Sequence, residues 1–535
     1  MAFKSNDVQQ FSLDDITYHM TKRELQALNK SWAKIFADEL FPVIDEEPFK
    51  VLFSDRTQCR SNTPVNVCIG ALIIKEMFQI SDDEVVENLM LDPRYQYALH
   101  TTSFREQPLS DKSLSRFRKR CYEYERTHGI DLIHDCINRL SSQIAKVMGI
   151  SPRLSRMDSM MIEANIRTLS RAELLYTCIS KVAVYIHKQE RDDLLTGLEA
   201  YCEPNDFNRM FYYSNNEEAV DRLPKLLQDA DRLLAACGNL FEDTQVYQNL
   251  FRCLSEQTVC DNGVRRWKTK EDGSMSSSIL QNPSDPDATY RLKAGKEYRG
   301  YVANFEETVG ENGSVVTDYQ LEQNIYSDSR FFKDNLERKG ASEEEAVVVT
   351  DGAYFGEENR REAEKKNITL VTTAISGCDV PDIYADFELN EDRTRIEKCP
   401  AGYHPKSCSL NSKGHFYVSF PVCCCKNCPN KDKCKPKIHK QVASLFVSSN
   451  GVERARAKRF MGTEKFKLLA RIRNGVETIP SILRRKYGAD RMPVRRCVPS
   501  RLFFGFKIAA LNFGKLMTYQ KKRGNYAQNP ILAGK

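Results

Sequence analysis

Apolar residues recur at three- and four-residue spacing through much of the first 150 residues. The spacing is clearest over residues 67–78 and 85–91, and it predicts amphipathic helices. Ser81-Asp82-Asp83-Glu84 is a capping-box pattern and predicts where the second of these helices starts. A further helix is expected to start at Ser110 or Asp111. The pattern therefore predicts an all-helical N-terminal region.

The helix expected after Ser110 has one basic face. Leu114, Phe117 and Tyr122 form its apolar side, and the cations of the other side are Lys112, Arg116, Lys119 and Arg120. Short helices around tight turns, one of them basic, are typical of a helix-turn-helix-like DNA reader. A helical bundle with a solvated basic face fits the pattern equally well.

The pattern then changes to mixed strands and helices. Residues 153–158 predict a short strand ending at Asp158, residues 172–260 return to helix, and 271–287 predict an exposed connection. Gly310-Glu311-Asn312-Gly313 is a strong hairpin signal. It joins strands expected over 300–308 and 315–325, and the remaining elements are a helix over 329–339, a strand over 346–350, a helix over 357–366 and a strand over 368–373.

Without the helical segment 165–298, this order is three strands, a helix, a strand, a helix and a strand, as in a ribonuclease H-like core. The predicted fold class is α+β or α/β, with a ribonuclease H-like mixed sheet, flanking helices and two insertions. The expected domains are 1–150, helical and DNA-binding; 151–375, the first part of the core, with 165–298 as an insertion; 376–445, a Cys-rich insertion; and 446–535, the basic C-terminal part of the core.

Composition narrows the class of protein. With 535 residues, 41% hydrophobic and 28% charged, the chain is globular and too long for one ordinary core. No apolar stretch approaches the roughly 20 residues that span a bilayer, and the polar N-terminus gives no sign of a secretory signal. We therefore expect a cytoplasmic protein. Its 18 cysteines are expected to be buried thiols and metal ligands.

Positive charge is concentrated in the last 85 residues. From Gly451 onward, 21 Lys and Arg face four acidic residues, although the whole chain has a net charge of only +6. Such a segment favours a polyanionic partner, and its first cations are Arg454, Arg456, Lys458 and Arg459. The alternative is a solubilising or ribosome-seeking tail. Apolar residues interleaved with the charges instead indicate a folded region.

Three carboxylates stand out against this background. Asp158 and Asp351 are expected where strands end, the usual place for functional groups in a parallel sheet. Glu477 lies among cations in a predicted basic helix, where it is either functional or the surface partner of Arg473, four residues earlier. Phosphoryl transfer on DNA with two divalent ions needs oxygen ligands of this kind.

Several motifs together resemble DDE-class insertion-sequence transposases of bacteria. They are Met157-Asp158-Ser159 with Glu163-Ala164-Asn165, Ser284-Asp285-Pro286-Asp287-Ala288 with Gly300-Tyr301, and Val349-Thr350-Asp351-Gly352-Ala353-Tyr354. The family's C-terminal motif is Tyr, two residues, Arg, three residues, Glu, six residues, Lys, and Arg473 and Glu477 match its spacing. Ala470 and Arg484 depart from it, and Pro480 threatens a kink after Glu477.

The resemblance implies a function and a set of partners. Asp158, Asp351 and Glu477 would be the catalytic ligands of two Mg²⁺ or Mn²⁺ ions, with Asp158 bridging them. Arg473 and Arg484 would hold DNA phosphates. The partners would be double-stranded DNA, at the element's terminal inverted repeats and at the target, and a second copy of the chain on paired ends. The reaction would be cleavage at the element ends followed by strand transfer.

Cysteines cluster between the last core strand and Glu477. Cys425 and Cys428 form a Cys-x2-Cys pair with further cysteines on both sides, a pattern with the reach for tetrahedral zinc. The most economical ligand set is Cys399, Cys425, Cys428 and Cys434, in which Cys423 or His439 could replace one member. A packed group of free thiols is the alternative.

Two other functions stay open at this point. One is a related metal-dependent nuclease that cuts DNA without joining it, since it would use the same carboxylates. The other is a non-catalytic DNA-binding protein derived from a transposase, against which the intact Asp158, Asp351 and Glu477 set argues.

Overall fold

The structure is a computed structural model that describes residues 1–6, 15–54, 60–101, 107–213, 216–238, 240–261, 264–273, 275–375 and 379–523. The expected domain boundary near residue 376 and the last part of the basic segment, 524–535, lie outside these ranges. Within the described ranges, the helices are all too short or too polar to cross a membrane.

The N-terminal region is helical, as its apolar spacing predicts. The Ser81 hydroxyl accepts the Glu84 N–H at 3.1 Å, and the Glu84 carboxylate accepts the Ser81 N–H at 2.6 Å, which confirms the capping box. The basic helix starts at Ser113, slightly later than expected. The helices are α1 (Lys22–Asn29), α2 (Trp32–Ile35), α3 (Val65–Phe78), α4 (Asp82–Leu91), α5 (Pro93–Ala98), α6 (Ser113–His128) and α7 (Leu132–Val147).

A helical insertion interrupts the core after its first strand and has a hydrophobic cluster of its own, built around Leu175, Ile179 and Leu250. The predicted exposed connection after it is exposed only in its first part, because Leu280 and Asp285 are buried. The elements are β1 (Leu154–Glu163), α8 (Arg171–Lys188), α9 (Asp206–Tyr212), α10 (Asn216–Cys237), α11 (Gln245–Gln257), and the small hairpin β2 (Thr258–Asp261) and β3 (Val264–Trp267).

The core is a six-stranded mixed sheet. Its remaining elements are β4 (Thr289–Lys293), β5 (Lys296–Gly310), β6 (Gly313–Gln323), α12 (Asp328–Arg338), β7 (Ala346–Thr350), α13 (Glu357–Lys365) and β8 (Ile368–Thr372). The strand order is β4-β5-β1-β7-β8, and β6 also pairs with β5. β1 runs parallel to β7 and antiparallel to β5, and β7 runs parallel to β8. Apart from the additional β4, the predicted order of elements is confirmed.

The Cys-rich segment forms a separate small lobe. Its elements are β9 (Glu388–Leu389), β10 (Ile396–Lys398), β11 (Ser407–Leu410), β12 (His415–Pro421), α14 (Val422–Lys426), α15 (Lys431–Cys434), β13 (Lys437–Ile438) and β14 (Val442–Ser448). Four of its strands form a sheet in the order β11-β12-β14-β13. Phe387, Phe416 and Phe420 are fully buried in its core.

Four helices complete the described chain: α16 (Ser449–Met461), α17 (Glu464–Asn474), α18 (Thr478–Tyr487) and α19 (Cys497–Lys522). The start of α19 explains one sequence motif. Asp285 accepts the Arg496 N–H at 3.0 Å, and Asp287 accepts the Cys497 N–H at 3.1 Å. Asp285 also accepts the Tyr301 hydroxyl at 2.6 Å. The motif therefore places carboxylates on the unpaired N–H groups of a helix N-terminus.

One hydrophobic core joins the N-terminal helices, one face of the sheet and α19. Phe36 packs edge-on against Phe513 with 5.2 Å between ring centroids. The buried Asn512 side chain accepts the Val316 N–H at 2.9 Å and donates to the Val316 carbonyl at 2.7 Å. Asn512 thus satisfies both backbone groups of β6 at this point, beside an irregularity in its pairing with β5. Helix α19 is therefore the central support of the sheet.

Candidate active site

Strand register places Asp158 and Asp351 side by side. The parallel pairing of β1 with β7 ends at Arg156 opposite Val349. Two residues farther along each strand, the same register gives Asp158 opposite Asp351. The expectation that a strand ends at Asp158 is wrong, because β1 continues to Glu163 in antiparallel pairing with β5. What ends before Asp158 is the parallel ladder, so the neighbouring strand no longer covers that position.

Glu477 reaches this place from the C-terminal helices. It is the last residue of a short 3-10 turn, Gly475–Glu477, that joins α17 to α18. The sequence predicted a basic helix here, and the turn divides that helix in two. Pro480 lies in the first turn of α18, where a backbone N–H has no helical partner to lose. The proline is therefore accommodated at a helix start.

The Arg473 guanidinium lies between all three carboxylates. Its Nη1 donates to Glu477 Oε1 at 3.0 Å. Its Nη2 lies 3.5 Å from Asp158 Oδ1 and 3.9 Å from Asp351 Oδ2. The ion pair with Glu477 that the sequence suggested is present, and the same cation also faces the two aspartates. Three acidic groups from distant parts of the chain thus surround one positive charge.

The three carboxylates differ in their environments. The exposed fraction of the side chain is 15% for Asp158, 38% for Asp351 and 69% for Glu477. Burial raises the pKa of Asp158, although the nearby Arg473 and the Ser159 N–H oppose the shift. Ser159 donates its N–H to Asp158 at 2.9 Å, and Ala353 donates to Asp351 at 2.8 Å. Asp158 is therefore the deep, fixed member and Glu477 the solvent-facing one.

Two polar residues beneath the aspartates escaped the sequence analysis. Asn304 of β5 donates its side-chain amide to the Asp158 carbonyl at 3.2 Å and to the Tyr354 hydroxyl. Tyr354 is fully buried, and burial, with Asp328, Asp158 and Asp351 nearby, holds its pKa well above the ordinary value. Tyr354 belongs to the Asp-Gly-Ala-Tyr motif, so the sequence did contain a signal for it. Asn304 gave none.

A second arginine fixes the chain that presents Arg473 and Glu477. Arg156 of β1 donates to the Ile472 carbonyl at the end of α17, and to Glu307 at 2.7 Å. Glu307 is completely buried and also accepts from Lys515 of α19. Burial alone would raise the pKa of Glu307, but Lys515 and Arg156 bring it below the ordinary value. This buried network ties α17 and α19 to β1.

The candidate DNA-binding cations fall into two groups. Arg116 and Lys119 on α6 and Arg484 on α18 are exposed, and Arg120 stacks on the Phe53 ring at 4.8 Å. The cations of α16 instead contact the chain itself. Lys458 pairs with Asp379 at 2.7 Å, Arg459 with Asp382 at 2.8 Å, and Arg456 donates to the Phe387 carbonyl at 2.7 Å. Arg454 is half-buried.

Divalent metal is the group that these carboxylates suggest. As the side chains stand, no three His, Cys, Asp or Glu residues in the described ranges are arranged to hold a metal ion. Arg473 accounts for this at the carboxylates, because its guanidinium fills the space between them. The donor set nevertheless fits a hard cation, since it offers three carboxylates that already face one positive charge.

Five cysteines of the lobe line one cavity of about 20 Å³: Cys399, Cys424, Cys425, Cys428 and Cys434. Burial, together with the nearby thiols of Cys428, Cys399 and Cys425, raises the pKa of Cys434 to about 11. Of the suggested replacements, Cys423 is exposed and the His439 ring nitrogen Nε2 contacts the Ser444 hydroxyl at 3.0 Å. The four cysteines predicted to bind zinc therefore line one cavity, although their side chains, as they stand, are not arranged as metal ligands.

Comparison with known families identifies the class of protein. Residues 24–120 match a family described as a transposase domain (DUF772), and residues 398–517 match a transposase DDE domain. The chain therefore contains two transposase domains, an N-terminal DUF772 domain and a C-terminal DDE domain. The second match includes Arg473, Glu477 and the cysteine cavity. Searches of curated proteins and of solved structures give no match.

The contact between Gly475 and Arg156 gives a test of the site's architecture. A Cβ at Gly475 would lie 2.2 Å from Arg156 Nη1, and Arg156 cannot retreat without losing Glu307 or the Ile472 carbonyl. We expect Gly475→Ala to destabilise the protein by about 1–3 kcal/mol, as overpacking does, measured as a shift in the urea midpoint. Gly340→Ala is the matched control, because its added Cβ meets open space. Equal stability of the two variants would contradict the contact.

Proposed function

We propose that this transposase cleaves DNA at the ends of its element and joins those ends to target DNA, using Asp158, Asp351 and Glu477 as ligands for two divalent ions. The observation that carries the proposal is the convergence of these three carboxylates on the single cation of Arg473. They come from β1, from the residue after β7, and from the turn after α17. If Arg473 and Glu477 formed only a structural ion pair at the surface, Arg473 would not need to lie within 4 Å of Asp158 and Asp351 as well.

We also propose that the sheet is a ribonuclease H-like core. Its support is the chain order of three strands, helix, strand, helix and strand, with the first strand central and parallel to the fourth. Residues 1–150 would then form a helical DNA-binding region, 165–298 and 376–445 insertions, and 446–535 the return to the core. The shared hydrophobic core packs the N-terminal helices firmly on the sheet.

The carboxylates and their neighbouring residues would have different roles in this reaction. Divalent ions bound by Asp158, Asp351 and Glu477 would activate the attacking oxygen and stabilise the leaving oxygen at the phosphate. Ser159 and Ala353 fix the two aspartates by their N–H groups. Arg473, once the carboxylates have another cation, would turn to a DNA phosphate and offset negative charge developing there. Arg484, exposed on the next helix, would hold a second phosphate.

The reaction is testable with amide variants of the three carboxylates. We expect Asp158→Asn, Asp351→Asn and Glu477→Gln to bind DNA carrying the element's inverted repeats, yet to lose at least about a hundredfold in both cleavage and joining, since each loses a metal ligand. Gel shift measures binding, and labelled pre-cleaved ends measure joining. Cleavage without joining in the unmutated protein would support the nuclease alternative, and binding without either reaction would support the non-catalytic one.

The control must be a carboxylate outside the site. Glu464→Gln is matched to Glu477→Gln, because Glu464 begins α17 and pairs only at the surface with Lys467. Asp318, although acidic and in the same core, is unsuitable. It is buried and bonded to His134 at 2.8 Å and to Asn335 at 2.7 Å, so its loss would disturb folding. Normal activity of Glu477→Gln with loss in Glu464→Gln would remove Glu477 from the site.

We propose that DNA runs along α17 and α18. Besides Arg473, these helices present Lys465, Arg471, Arg484 and Arg485 as exposed cations. They belong to the two helices joined by the turn that ends at Glu477, whereas Lys458 and Arg459 of α16 are bound to acidic residues of the lobe. The sequence-based prediction that Arg454, Arg456, Lys458 and Arg459 bind DNA is the alternative to this proposal. A second copy of the chain would bind the other end of the element.

The salt dependence of DNA binding distinguishes the two groups of cations. Each phosphate contact contributes roughly 0.9 to the slope of log affinity against log salt. We therefore expect the double variant Arg484→Gln with Arg485→Gln to make the slope less steep, by about 2. The matched double variant Lys458→Gln with Arg459→Gln should change it little, because both cations already have acidic partners. The reverse ranking of the two slopes would place the DNA on α16.

A further inference from the structure

We propose that Cys399, Cys425, Cys428 and Cys434 bind one structural Zn²⁺ ion that closes the small lobe. This site is separate from the carboxylates and does not depend on the proposed reaction. Nothing in the transposase assignment requires it. Three segments of the lobe meet around one cavity.

The four cysteines come from three places in the chain. Cys399 follows strand β10, Cys425 and Cys428 lie in and just after α14, and Cys434 ends α15. All four line the same cavity of about 20 Å³, which is close to the space that one water molecule occupies. A cavity of this size is compatible with a single ion. In zinc sites four thiolates surround the ion at about 2.3 Å, so the side chains need to close inward on it.

Hydrogen bonds from backbone N–H groups fix the turns that carry these cysteines. Gly402 donates its N–H to the Cys399 carbonyl at 2.8 Å in a tight turn. Asn430 donates its N–H to the Cys428 sulfur at 3.4 Å. An N–H directed at sulfur favours the thiolate, which is the form that binds metal. Cys434 donates its N–H to the Asn430 carbonyl at 2.8 Å, so one short loop places both Cys428 and Cys434 at the cavity.

Cys424 is the remaining cysteine at the cavity. Its neighbour in sequence, Cys423, is exposed. Cys424 also interacts with the adjacent Cys423. Four ligands complete a tetrahedral structural site, and Cys424 would be a fifth.

The ion would stabilise the route by which the chain returns to the carboxylates. Strand β14 runs directly into α16, and α16 leads to α17 and Arg473. Arg459 of α16 pairs with Asp382 and Asp386, at the start of the lobe. The lobe core contains ten buried residues, of which Ala443 and Cys425 are small. A metal crosslink between β10, α14 and α15 would fix the loops that this core does not cover.

The experiment is metal analysis of the full chain, purified under reducing conditions without chelator. We expect about one zinc per chain by inductively coupled plasma mass spectrometry. Cys428→Ser should retain less than about 0.2 zinc per chain, because it lacks one of the four ligands. Cys424→Ser and Cys408→Ser, in the same lobe, should retain the metal. Zinc lost equally in Cys424→Ser would overturn the ligand set, and no zinc in the reduced unmutated chain would overturn the site.

A second measurement needs no variant and so does not depend on folding of a mutant. Co²⁺ added in place of zinc to the unmutated chain should give the intense absorption of tetrahedral cobalt with thiolate charge-transfer bands. Spectra of octahedral cobalt without those bands would overturn the site. Neither outcome bears on DNA cleavage, so the zinc proposal and the proposed reaction fail independently.

Discussion

The Arg473 guanidinium is the interaction on which the rest of the site depends. Three carboxylates near one another repel, and at about 4 Å a pair of unit charges interacts by roughly 4 kcal/mol near a protein surface. Arg473 lies within 4 Å of all three. Its positive charge therefore offsets the repulsion among the carboxylates in the absence of metal. If the carboxylates bind a divalent ion as proposed, that ion and Arg473 would compete for one position.

Contacts from β1 and α19 fix the position of the segment that carries Arg473 and Glu477. Arg156 fixes the end of α17 through the Ile472 carbonyl, and Glu307 links Arg156 to Lys515 of α19. Helix α19 in turn binds the β6 backbone through Asn512 and receives Asp285 and Asp287 at its N-terminus. A helix near the end of the chain thus positions both the sheet and the turn bearing Glu477. The Asp285 and Asp287 motif therefore supports the same site as Glu477, although the two are far apart in sequence.

Local signals in the sequence predicted much of this fold. The β-branched run before Asp351 gave β7 with its observed bounds, and the hairpin signal gave the turn between β5 and β6. The strand through Asp158 extends beyond its predicted end because its second half pairs with β5, which lies more than 130 residues away in sequence. The four-residue spacing predicted the ion pair of Arg473 with Glu477, which is present, but not the 3-10 turn that ends at Glu477.

What the sequence could not supply were tertiary partners. Arg156 and Asn304 look like ordinary strand residues until Ile472 and Tyr354 are brought beside them. A count of charges also cannot say what each cation faces. The segment after Gly451 is strongly basic, yet Lys458 and Arg459 are bound to acidic residues, whereas Arg484 is exposed.

We propose that Arg473 occupies the position of a metal ion. The most direct test is Mn²⁺ binding in the absence of DNA, followed by electron paramagnetic resonance. Removing one competing positive charge in Arg473→Gln should tighten Mn²⁺ binding by about tenfold, or 1.4 kcal/mol, well within the Coulomb energy of one such contact. Asp158→Asn should weaken it by at least as much. Mn²⁺ affinity unchanged in both variants would show that the carboxylates around Arg473 are not the metal site.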